Sequence, residues 1–112
     1  MNTSSLDKEA WLKSRKYILE ALDRGIDTHT EKDIYYAITR NDAQLWTGQK
    51  SACVTEIVTY PKYKMLRFWL GGGDLEELKE MEKPICEWAK SIGCKKSMIM
   101  GRKGWSLSLI HI

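Results

Sequence analysis

The sequence predicts an α/β (α+β) fold: two helices, three antiparallel strands, a third helix and a fourth strand, closing into a mixed sheet. Three observations carry this. Apolar residues recur at three- and four-residue spacing through residues 6–40, as helices with one buried face require. Between residues 43 and 70 the pattern changes to short β-branched runs separated by turn-forming residues. A glycine run at 71–73 then opens a second helical period, which ends at Gly93 and is followed by another β-prone run. A strand reached through a helical crossover lies parallel to the one before it, so the sheet is mixed.

The first helix is expected from about Leu6 to Arg24. Trp11, Ile18 and Leu22 share a face with Leu12 and Leu19 beside them, Ser4 or Ser5 caps the start, and Gly25 ends it. The second begins near "THTEKDIYYAI", where Thr28 and Glu31 make a capping-box pattern. Ile34, Tyr35 and Ile38 form its apolar stripe, and the turn-prone Arg40-Asn41-Asp42 stops it. "AQLW" is a short strand, "TGQK" a turn, "SACVTEIVTY" a longer strand, Tyr60 to Tyr63 a hairpin connection and "KMLRFWL" the returning strand. Leu75, Leu78, Met81, Ile85, Ala89 and Ile92 then keep a helical period. Pro84 should kink that helix, because it cannot bond the carbonyl four residues earlier. "CKKSMIM" is the last strand of the pattern.

At 112 residues, 43% of them hydrophobic and five of them Trp, the chain suits one domain with a real core. No apolar run is long enough to span a bilayer, and the polar start Met1–Ser5 does not resemble a signal peptide, so a cytoplasmic setting with no membrane partner is expected. Cys53, Cys86 and Cys94 are odd in number and lack C-x-x-C spacing, which points to buried reduced thiols rather than a disulfide framework or metal site. The net charge of +3 is unevenly spread. Acids crowd residues 74–82, while Lys62, Lys64 and Arg67, and then Lys95, Lys96, Arg102 and Lys103, carry the positive excess. Those cations are read as solvated surface, and a nucleic-acid partner is not expected.

"LSLIHI", Leu107 to Ile112, has no charge and no turn signal. It matches, letter for letter, the translation of a transposon end used in preparing DNA sequencing libraries. The expectation is a single domain over residues 1–106, incomplete at its C-terminus, followed by a non-native tail at 107–112.

"WLGGGDLEELKEME" poses the functional question. Glycines opening a helix are a common anion cradle, because free N–H groups and the helix dipole point at the same place. Here Asp74, Glu76, Glu77, Glu80 and Glu82 crowd that place. Asp74 or Glu77 can satisfy the donors internally, and like charges repel phosphates, so a self-capped acidic helix competes with a phosphate site.

The element order, with Leu45-Trp46, "VTEI" at Val54 to Ile57, Tyr60-Pro61, Gly72-Gly73-Asp74-Leu75, Met81-Glu82, Trp88-Ala89, Gly93-Cys94 and "GRKGW", resembles the GNAT superfamily of acetyl-coenzyme A dependent N-acetyltransferases. More closely, it is similar to small GNAT-like proteins of tailed bacteriophages and prophages, over about Thr28 to Trp105. The resemblance implies acetyl-coenzyme A as cofactor and an amine as acceptor. Alternatively it implies a non-catalytic phage protein that contacts another phage or host protein on the same scaffold, in the host cytoplasm or the virion. By position, Leu70, Gly71, Gly72, Gly73, Asp74 and Leu75 stand where the family binds pyrophosphate, without the family's Gln/Arg. The family's leaving-group acid lies on a fourth helix that would follow Trp105.

Glu56, alone among hydrophobic and Thr neighbours, is the candidate base; an outward-facing residue paired with Arg67 across the hairpin is its structural alternative. Arg67 stands where many active relatives place a carboxylate. Cys53 and Cys94 have no neighbouring base, and Trp46, Trp69 and Trp88 sit in apolar periodic runs, so core packing is expected of all five. Tyr60 and Tyr63 are read as hairpin aromatics and His29 as a surface residue.

Overall fold

Helix α1 (Lys8–Asp23) buries Trp11 and Ile18, with Ala10, Ser14 and Ala21 completing its inward face. The computed structural model describes residues 8–23, 30–99 and 108–111. Leu12, expected beside the apolar stripe, instead points outward at 62% exposure, because it lies on the side of α1 opposite Ala10, Ser14, Ile18 and Ala21. The expected caps Ser4, Ser5, Gly25 and Thr28, together with His29, lie outside the described residues.

Helix α2 (Glu31–Thr39) starts at a capping box two residues later than the sequence suggests. Thr30 accepts from the Asp33 N–H, and Asp33 accepts from the Thr30 N–H at 2.8 Å. That frees Glu31 to pair with Arg15 of α1. The helix ends at Asn41, whose φ of 64° is the left-handed conformation Asn tolerates, and the Asp42 N–H donates to the Ala37 carbonyl.

Strands β1 (Ala43–Thr47), β2 (Ser51–Thr59) and β3 (Lys64–Gly73) form the expected antiparallel meander. Helix α3 (Leu75–Ser91) crosses over to β4 (Cys94–Ile99), which pairs with β3 in parallel, so the sheet is mixed as predicted. Pro84 lies on the exposed side of α3 and the helix continues through it; water can serve the carbonyl that Pro84 cannot. A further strand, β5 (Ser108–His111), pairs antiparallel with β4 and makes the order β1-β2-β3-β4-β5. These residues belong to the stretch the sequence sets apart as a tail. An exposed strand edge pairs with whatever extended segment reaches it.

The core has one layer on each face of the sheet. Ile18, Ile34, Ile38, Leu45, Val54 and Leu70 join α1 and α2 to one face. Leu66, Phe68, Leu78, Met81, Ile85 and Ala89 join α3 to the other. Each such fully buried aliphatic or aromatic side chain contributes about 1.5–3 kcal/mol relative to exposure. Under α3 the Trp46 indole donates to the Thr55 hydroxyl (2.9 Å), which donates to the Gln44 side-chain carbonyl (2.8 Å), so these polar groups are buried satisfied. Trp46 also meets Trp88 edge to face. The core roles expected of Trp46, Cys53, Trp69 and Cys94 hold, and Trp88 is half-buried.

Candidate functional site

Strand β3 carries an extra residue opposite β2: Thr55 faces Phe68 while Val54 faces Leu70, leaving Trp69 as a bulge. The bulge turns two consecutive side chains, Trp69 and Leu70, into the α1/α2 layer. Trp69 thereby lines a cleft of about 350 Å³ with Asp33, Tyr36, Ala37 and Arg40 of α2 and its end, Asp42, and Glu56 of β2.

Glu56 is the only candidate base the sequence proposed, and the structure places it in this cleft. Arg67 lies directly opposite it in the β2–β3 register and donates to its carboxylate at 2.7 Å, so the cross-hairpin pair exists. Both side chains are partly exposed, at 24% for Glu56 and 31% for Arg67. A carboxylate bonded once to a guanidinium keeps lone pairs for a further donor such as an ammonium or a water. Asp33, Tyr36, Arg40 and Asp42 were not singled out from the sequence. They reach the cleft only because α2 packs on β1, beside β2, a relation between elements with no local signal.

The glycine segment is built differently from a loop. Gly71, Gly72 and Gly73 are the last residues of β3, opposite Cys53, Ala52 and Ser51. A Cβ on Gly72 would collide with the backbone carbonyl of Tyr17, so glycine here lets α1 lie against the strand. The Asp74 N–H donates to the Lys50 carbonyl at 3.0 Å, and the Asp74 carboxylate caps α3 by accepting from the Glu76 N–H at 3.1 Å. Self-capping by Asp74 is therefore as expected.

Glu77 goes elsewhere. Its carboxylate reaches the β1–β2 turn and accepts from the N–H groups of Gln49 (3.1 Å) and Lys50 (2.8 Å) and from the Ser51 hydroxyl. Gly48 has no side chain where that carboxylate rests. Partial burial pushes the Glu77 carboxyl up, but the Ser51 hydroxyl, the two N–H groups and the nearby Lys50 charge together hold it below the ordinary value. Of the two acids offered for the donors at the helix start, Asp74 serves and Glu77 does not: Glu77 latches α3 to a hairpin 28 residues away.

The thiols offer no nucleophile. Burial pushes Cys53 far up and raises Cys86 and Cys94 as well. No helix among the described residues is long and apolar enough to cross a membrane. Comparison with protein-family models, with curated proteins and with solved structures finds no match.

Proposed function

We propose that the chain is a GNAT-like N-acetyltransferase that moves an acetyl group from acetyl-coenzyme A to an amine held in the Glu56 cleft. The observation that carries this reading is the placement of Glu56 in a cleft beside the β3 bulge, lined by Asp33, Asp42, Tyr36 and Trp69.

The fit to the cofactor is uneven along its length. The pantetheine arm would lie toward the Trp69 side of the cleft. The diphosphate would rest on first-turn donors of α3 at Leu75 and Glu77, the ones that neither the helix nor Asp74 satisfies. Leu70 to Asp74 would contribute shape rather than donors. Bound, the thioester supplies the activated acyl group. Glu56 accepts the proton of the attacking amine, directly or through a water. Asp33 and Asp42 stabilise the amine's positive charge on entry, and the rings of Tyr36 and Trp69 shield it.

A second reading has its own support. The Asp74 N–H and the Glu76 N–H are engaged internally, and Asp74 and Glu76 add negative charge at the cap and first turn of α3. A GNAT-like scaffold that contacts another phage or host protein without catalysis accounts for these acids. Calorimetric titration with acetyl-coenzyme A separates the two. Saturable binding, with acetylation of a panel amine that collapses in Glu56→Gln while binding persists, supports the enzyme. Absence of binding at millimolar cofactor rejects it in favour of the scaffold.

A further inference from the structure

The two lysine groups that the sequence keeps more than thirty residues apart meet at one end of the sheet. The parallel register sets Lys64 opposite Cys94 and Met65 opposite Lys96, with Lys95 bulged out of the pairing. Lys62 stands on the adjoining β2–β3 hairpin, which closes through the Tyr60 N–H to the Tyr63 carbonyl at 2.8 Å. Lys62, Lys64 and Lys95 are exposed, and Lys96 is half-buried with its ammonium 4.7 Å from the centre of the Tyr63 ring. Among the described residues no carboxylate forms an ion pair with any of these four lysines. Tyr60 meets Tyr63 edge to face at 5.6 Å and is 44% exposed.

From this juxtaposition we propose that the β2–β3 hairpin and the start of β4 form a binding surface for single-stranded nucleic acid. Lysines without a carboxylate partner neutralise successive phosphates, and an exposed tyrosine held upright by its neighbour offers a stacking face to a base. That combination of cations and aromatic ring marks sequence-tolerant single-strand binding. An acidic polypeptide would use the lysines but gains nothing from the ring. The surface sits at the opposite end of β3 from the glycines, so it stands or falls independently of acetyl transfer.

The test is fluorescence anisotropy of labelled oligo(dT) and oligo(rU) against the full chain across a salt series, with polyglutamate as competitor. Binding should weaken steeply with salt, and Lys62→Ala with Lys95→Ala should lower the log–log slope by about 1.4, some 0.7 for each phosphate that is no longer neutralised. Tyr60→Ala should weaken binding roughly 5- to 100-fold while leaving the slope unchanged, and Tyr60→Phe should retain it. All sites are exposed, and matching melting curves confirm that the variants fold. Three results each overturn the proposal. These are no saturable binding of either oligonucleotide at low salt, binding indifferent to the lysine and Tyr60→Ala variants, and displacement by polyglutamate as effective as by unlabelled oligonucleotide. Preference for one sugar over the other tells which nucleic acid the surface takes.

Discussion

Replacing Glu77 with Gln tests the tie between α3 and the β1–β2 turn. The carboxylate receives two backbone N–H bonds and one hydroxyl bond. Hydrogen bonds to a charged group are worth about 1.5–3 kcal/mol each when buried. Gln49 and Lys50 are exposed, however, so water recovers much of what their N–H groups lose, and Gln retains an acceptor oxygen. The expected loss is therefore about 1–2 kcal/mol in total, not the sum of three bonds. At roughly 4–8 °C per kcal/mol for a domain near this size, Tm should fall by about 4–16 °C at neutral pH, read by circular dichroism. The pH dependence sharpens the test. Because the folded carboxyl titrates below its unfolded value, its contribution is complete above the ordinary Glu range near pH 4.5 and disappears as pH falls through the folded value. The gap between wild type and Glu77→Gln should accordingly close in acid. A variant that melts with wild type at pH 7, or a gap that stays constant down to pH 3, refutes the latch.

Two further substitutions probe the packing. Gly72→Ala should cost about 3 kcal/mol or prevent folding, because the new methyl meets the Tyr17 carbonyl and neither backbone can retreat; a melting temperature within a degree of wild type would show that α1 does not lie where described. Ser14→Ala should stabilise the protein by about 1 kcal/mol, since the Ser14 hydroxyl is buried without a hydrogen-bond partner and Ala is the better helix former. Denaturant unfolding checks this, and a destabilised variant would reveal a partner for that hydroxyl.

Several elements were legible because their signals are local. The shift from a 3.6-residue to a two-residue apolar period at Ala43 marks where α2 gives way to β1. Gly93, at φ 100°, ends α3 as its position predicts. The Glu56–Arg67 pair was readable because a hairpin fixes which residues face each other. The cap of α2 was misplaced because Thr28 and Thr30 each stand three residues before an acid, Glu31 and Asp33, and spacing alone does not choose between them. The glycines looked like a loop because glycine is common in loops. That α1 would press its backbone against Gly72 is a property of two elements more than fifty residues apart.

The sequence by itself determined the order of α1 to α3 and β1 to β4, the antiparallel meander, the parallel return after α3 and the reduced state expected of the cysteines. These depend on residue periodicity, turn chemistry and the handedness of crossovers, all set within a few residues or by topology. The tertiary structure alone decided where charge acts. It sent Glu77 to the hairpin, gathered Asp33, Asp42 and Glu56 around Trp69, and brought Lys62 and Lys64 beside Lys95 and Lys96. The reason is physical: Coulomb and hydrogen-bond energies depend on distances of a few ångströms through space, and only packing the helices and strands on one sheet fixes those distances.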